Sequence, residues 1–209
     1  MLTNNGFDLW ATSYDLSVKK IDKNNQYPFA GYNQLMNAIY GTIMKDSSVN
    51  VFDIGFGTAM LTSKLYEAGH TITGIDFSTE MIKIASEKMP NANLIQWDFT
   101  KGLPYMLDKQ SFDYIISTYA LHHLTDESKY ELILSLLELL TTDGTILIGD
   151  VGFLTRDELL KCKEISDTSW DDDEIYFVFS ELEVLLSASC QLNFYKFSFC
   201  AGIIEIKKK

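Results

Sequence analysis

The stretch VNVFDIGFGTAMLTSKLYEAG, residues 49–69, decides how the chain folds. Val49 to Ile54 is a short apolar run, long enough for a buried strand and too short for a helix. Gly55 and Gly57 break it, a helix-period segment from Ala59 to Ala68 follows, and Gly69 is placed to end that helix. A buried strand, a glycine turn and a helix in that order form the opening unit of an open α/β sheet.

The chain on either side repeats the pattern. His70 to Asp76 reads as a second strand, and Ser78 is a fitting N-cap for a helix that turns Met81, Ile82, Ala85 and Met89 to the core before Pro90 closes it. Leu94 to Trp97 and Phe112 to Thr118 read as the third and fourth strands. After His122 and His123, a helix carries Ile133, Leu134, Leu137 and Leu140 toward the sheet, and Gly144 to Val151 forms the fifth strand. Two capping boxes, Thr155 with Glu158 and Ser180 with Glu183, mark later helix starts. Gln191 to Phe199 and Ile203 to Lys207 stand too close together for a helical crossover, so they pair as an antiparallel hairpin and make the sheet mixed at one edge.

Residues 1–48 precede the first strand and hold Phe7, Trp10, Tyr14, Tyr27, Phe29 and Tyr32, with a helix expected from Tyr32 to Met44. We read 1–48 as a helical cover of the site and 49–209 as the ligand-binding domain. The alternative for 1–48 is an extra helix whose aromatics pack on the sheet.

Ligands of open parallel sheets sit beyond the carboxyl ends of the strands, and the chemistry-bearing residues follow strands here. Gly55 and Gly57 let a ligand approach the backbone. Asp76, ending the second strand, suits the two hydroxyls of a ribose; the alternative is a charge near the start of the Ser78 helix. Asp98, ending the third, suits an adenine amine with Trp97 or Phe99 shielding the ring, or else a turn. Asp53, Asp76 and Asp98 gather with no nearby Arg, which favours a cationic nucleoside over a pyrophosphate. Phe77, Phe99 and Tyr14 complete the candidate contacts.

VFDIGFGTAMLTSKL (51–65), with GIDFS, QWDF and FDYIISTYALHHL after it, resembles the class I S-adenosylmethionine-dependent methyltransferases. Within them it looks most like the bacterial YrrT-type group, through GFGT, ITGIDFS, KMP, YALHHL, IGD and WDDDE. The resemblance implies a Rossmann-like seven-stranded mixed sheet of order 3-2-1-4-5-7-6, last strand antiparallel, with helices on both faces. It also implies S-adenosyl-L-methionine as cofactor. Gly55 and Gly57 would cradle its methionine part, Asp53 support its ammonium, Asp76 hold the ribose and Asp98 the adenine. The family often has a third glycine where this chain has Ala59, and that methyl asks only for a slightly wider approach.

A sulfonium donor is already activated, so the enzyme chiefly aligns the acceptor and excludes water. His123 and His122 are the candidates for a general base, with a turn that walls off the cofactor as their alternative. Tyr14 and Tyr119 could meet the sulfonium or the acceptor, or simply pack. Asp150, Arg156 and Trp170 to Glu174 border the acceptor side, unless they are solvated loops. No metal site is expected, because no ligand pair stands at helical spacing.

A net charge of -12 disfavours nucleic acid and anionic membranes as partners and suits a small-molecule methyl acceptor. Three cysteines, odd in number and without paired spacing, argue against a disulfide framework. With no signal-peptide pattern and no long apolar run, a cytoplasmic location is expected. Two rivals stay open: a nicotinamide-dependent oxidoreductase, although Met60 replaces a fingerprint glycine, and a sensor that binds the nucleoside and transfers nothing.

Overall fold

The computed structural model describes residue 18, residues 21–166 and residues 169–209. Strand β1 (Asn50–Ile54) is buried everywhere except its first residue, as an apolar strand covered on both faces must be. It pairs in parallel with β2 (Thr71–Asp76) on one side and β4 (Phe112–Thr118) on the other. β3 (Asn93–Gln96) extends the sheet beyond β2, and β5 (Leu140–Phe153) extends it beyond β4. The terminal hairpin of β7 (Cys190–Lys196) and β8 (Ala201–Lys208) docks through β8, which runs antiparallel to both β5 and β7. The order is therefore β3-β2-β1-β4-β5-β8-β7, with a two-residue strand β6 (Phe177–Val178) added beside the end of β5. This is the expected Rossmann-like mixed sheet with one short strand more.

Successive side chains of a strand point to opposite faces, and they enter two separate cores. Val51, Ile116 and Leu147 join one core with Leu35, Ile39 and Ile43 of α1 (Tyr32–Ile43), Leu65 of α2 (Thr62–Glu67), Ala85 of α3 (Thr79–Lys88) and Leu159 of α5 (Arg156–Ser166). Their neighbours Phe52, Ile115 and Ile146 join the other, with Leu132, Ile133 and Leu136 of α4 (Asp126–Leu139) and Leu182 and Leu186 of α6 (Phe179–Leu186). Helix α1 thus packs on the sheet as a full member of a core. A Cβ on Gly149 of β5 would come within 2.4 Å of Leu35, so the glycine lets α1 lie close to the strand.

Local signals hold where the chain has no stronger demand on it. Ser78 caps α3 by accepting from the Met81 amide at 3.2 Å, and Thr125 caps α4 through the Ser128 amide. Three expectations change. The Ala59–Ala68 helix shrinks to Thr62–Glu67 because Gly57 and Ala59 both take left-handed φ, 54° and 59°. Ala59 therefore bears on the conformation of the turn, where an L-residue is strained by ~1–2 kcal/mol, more than on packing width. Ser180 does not open a helix. Pairing of β6 with β5 draws the chain in first, α6 starts at Phe179, and the Ser180 amide donates to the Leu154 carbonyl. The fifth strand begins at Leu140 rather than Gly144, with a register irregularity between Phe112 and Tyr114 of its partner.

Among the described residues no helix is long and apolar enough to cross a membrane, and Cys162, Cys190 and Cys200 are free and buried. Replacing Leu35 by Ala should remove side-chain volume that nothing else can fill between α1 and β5. We expect a loss of ~2–5 kcal/mol in urea unfolding, and a loss well under 1 kcal/mol would show that α1 contributes little to the core.

Candidate active site

The carboxyl ends of β1, β2 and β4 border a cleft of about 740 Å³, counting its open mouth. Asp53, Gly55, Gly57, Asp76, Phe77 and Phe99 line it together with His123 and Tyr119. Helix α1 lends Tyr32, one of the aromatics of the segment read as a cover, and Met36, which the sequence reading did not single out. Tyr32 and Tyr119 are in ring contact at 5.1 Å, so an aromatic wall spans from the helix to the end of β4.

Asp53 sits at the floor, only 2% exposed. One carboxylate oxygen, Oδ2, accepts from the Thr62 hydroxyl, while the buried Oδ1 has no hydrogen-bond partner among the described residues. Burial disfavours the anion and nearby Asp76 adds to the effect, against the Thr62 bond, so the Asp53 pKa rises to about 7. An acceptor this poorly satisfied awaits a cation or a donor. Thr62 was missed because a threonine inside an expected helix carries no signal until its hydroxyl is seen to point inward.

Asp76 is held by backbone amides: Oδ2 accepts from Gly57 at 2.9 Å and Oδ1 from Ser78 at 2.9 Å. The Gly57 amide is therefore committed to Asp76, and the two strand ends are tied into one rigid lip. The glycines differ in what replaces their side chains. A Cβ on Gly55, whose φ is 70°, would lie 2.6 Å from that of Ala120, whereas a Cβ on Gly57 would meet nothing within 4 Å. Gly55 allows the β1 and β4 ends to close up, and Gly57 leaves space on the cleft side.

Asp98 stands apart in a neighbouring hollow with Trp97, Gln96 and Lys101 that shares Phe77 with the main cleft. It caps a short turn through the Thr100 amide at 3.1 Å and pairs with Lys101 at 3.2 Å. Partial burial works against its charge, but the donors of Thr100 and Lys101 outweigh it and hold its carboxyl below the usual range. The three acids do not share one space, and Asp98 has a cation beside it. Tyr14 lies outside the described residues.

The two histidines part company. His123 lines the cleft, and burial together with neighbouring His122 pushes its pKa down to about 4. His122 is 7% exposed and sits behind, with Nδ1 2.7 Å from Asp150 Oδ1 and Nε2 3.5 Å from Glu174 Oε1. Burial opposes its charge, but Asp150 and Glu174 prevail and hold its pKa above the ordinary imidazole value. Asp150 and Glu174 thus reach the site region, whereas Arg156 pairs with Glu181 at the surface and Asp172 with Lys163.

Comparison with known proteins shows the family. Residues 51–144 match the family model described as a methyltransferase domain. An uncharacterized methyltransferase of Anoxybacillus flavithermus is 39% identical over 151 residues, 72% of this chain and 68% of its own. One from Geobacillus thermodenitrificans is 35% identical over 188 residues, 87% and 83% of the two chains. Among solved structures, magnesium protoporphyrin IX methyltransferase from Synechocystis superimposes with a TM-score of 0.68 at 18% identity, covering 96% of this chain and 97% of that one. A TehB-like methyltransferase from Corynebacterium glutamicum gives 0.63 at 16% identity, covering 95% and 98%. The chain belongs to the methyltransferase family, on the Rossmann-like fold that these solved methyltransferases share.

Two outcomes follow from the floor of the cleft. A carboxyl with a raised folded-state pKa takes up protons more readily folded than unfolded. Asp53 should therefore make the ligand-free protein less stable as pH rises from the unfolded value through about 7, and level thereafter. Asp53→Asn should melt higher than the parent at alkaline pH by up to about 4 kcal/mol of stability, at about 1.4 kcal/mol per pH unit. Equal melting across the range would mean the carboxyl is not desolvated. Gly55→Ala adds both a strained φ and a clash with Ala120, so a drop of at least ~2 kcal/mol in chemical denaturation is expected.

Proposed function

We propose that S-adenosylmethionine lies across the ends of β1 and β2 with its amino-acid part over Gly55 and Gly57, and that a small-molecule acceptor enters beside His123. The unpartnered Asp53 oxygen at the floor of the cleft supports this most directly. A buried carboxylate suits the ammonium of the cofactor and repels a pyrophosphate. Among the described residues that line the cleft none is Lys or Arg, which counts against a nicotinamide dinucleotide.

Asp76, oriented by the amides of Gly57 and Ser78, meets the ribose hydroxyls at the end of β2. Phe77 lies where the main cleft meets the hollow holding Asp98, so the adenine ring extends past it toward Asp98, with Phe99 on the cleft side. The bound sulfonium supplies an activated methyl group, and the protein's part is to align and to dry the site. Tyr32, Met36 and Tyr119 close the space in front of the methyl and keep the acceptor small. His123 faces the cleft there as the group able to take the acceptor's proton, and His122 holds the turn in place from behind through Asp150. Residues 1–48 act as the cover, through α1. The likeness of the YALHHL and WDDDE strings to the YrrT-type group supports a small-molecule acceptor linked to methionine and cysteine metabolism.

Isothermal titration with S-adenosylmethionine should show one site whose affinity rises as pH rises through about 7, because Asp53 must ionise to meet the ammonium. Asp76→Ala should weaken binding ~10- to 100-fold, the worth of a charge-assisted pair of hydrogen bonds. Tight NAD binding without S-adenosylmethionine binding would overturn the assignment. A labelled-methyl screen against metabolite extracts tests the acceptor, and firm cofactor binding with no transfer to any acceptor would favour a sensor.

A further inference from the structure

We propose that His122, His123 and Glu174 form a binding site for one divalent transition-metal cation at the inner edge of the cleft. One donor atom from each lies within 4.8 Å of the others, and Nε2 of His122 stands 3.5 Å from Oε1 of Glu174. In a tetrahedral site with ligands at about 2.0–2.1 Å, neighbouring donors are ~3.3 Å apart. The His122–Glu174 pair is thus already near ligand spacing, and the His123 donor, within 4.8 Å of both, closes on it when the cation binds.

Both ligands on the inner side are fixed as metal ligands commonly are. His122 directs Nδ1 at Asp150, 2.7 Å away, which leaves Nε2 as the ligating nitrogen. Asp150 is 2% exposed, and its second oxygen has no hydrogen-bond partner among the described residues, so it places negative charge behind the imidazole. Glu174 commits its other oxygen to the Tyr176 hydroxyl at 2.6 Å. The backbone holds the loop there as well: the Ile175 amide donates to the His122 carbonyl at 2.8 Å, and the buried Lys129 ammonium donates to the Ile175 carbonyl. These ties join the ends of β4, α4 and the approach to β6 around one point. They explain why a glutamate about fifty residues distant in sequence meets the histidine turn, and why ligand spacing along a helix could not reveal the set.

Two imidazoles and one carboxylate on one face suit zinc, cobalt, nickel or iron better than magnesium or calcium, which prefer all-oxygen shells. Three protein ligands leave further positions open, and since His123 lines the cleft these face the place where the acceptor enters. A cation and a proton are alternative occupants of the same His123 nitrogen. The position relative to the acceptor rests on the proposed cofactor reading, whereas the site itself does not.

The test uses the full chain stripped with a chelator and dialysed. Titration with Co2+, followed by its visible d–d absorption, and with Zn2+ by calorimetry should give one equivalent per chain. Glu174→Gln should lower the affinity at least ~10-fold and Asp150→Asn ~10- to 100-fold, with S-adenosylmethionine titration and thermal melting on the same samples confirming that the variants are folded. His70→Ala, which changes the histidine beside Met44, should bind Co2+ as the parent does. No stoichiometric uptake by the folded parent, or uptake unchanged by Glu174→Gln, would overturn the site while leaving the cofactor assignment standing.

Discussion

A carboxylate taken out of water and left half satisfied is the constraint around which this molecule is organised. Asp53 lies one residue from the end of β1, which is flanked by β2 and β4, and is almost wholly enclosed. Among the described residues its hydrogen-bond partner is the Thr62 hydroxyl, which does not offset its desolvation. Such a group is tolerated when binding a cationic ligand compensates for it. The unliganded protein carries the strain at the point where the sheet opens, which is also where open α/β folds place their ligands.

The surrounding backbone is shaped to keep that point fixed. Gly55 and Gly57 take left-handed φ, Ala59 follows them, and Tyr119 at the end of β4 does the same with φ of 50°. Four positive-φ residues on two adjacent strand ends leave little freedom for either. The amides of Gly57 and Ser78 then clamp Asp76 from the next strand. Rigid strand ends bearing acids form one wall, and aromatic residues from α1 and β4 form the other. A polar end bearing acids and an apolar aromatic wall are thereby set side by side in one cleft.

Much of this was legible because it is written in local pattern. Strand β1, the glycine turn, the Ser78 cap and the antiparallel hairpin all depend on residues close together in sequence. Asp53 and Asp76 were found by their position at strand ends, and both reach the cleft. Asp98 shows the limit of that rule. A strand end can point to the next hollow as readily as to the shared one, and a lysine three residues on can neutralise it. The Ser180 capping box failed for a related reason: a two-residue strand pairing won over a local side-chain signal.

The sequence by itself determined the order and type of the elements, the mixed sheet and the carboxylates at its strand ends, since hydrophobic period and glycine placement act over a few residues and survive in any context. Only the tertiary structure decided which of the two histidines faces the cleft, which carboxylates stand behind the other, and that Tyr32 and Thr62 belong to the site. Those outcomes depend on segments far apart in the chain being brought to hydrogen-bonding distance. Such approach is fixed by packing across the sheet, which no periodicity records.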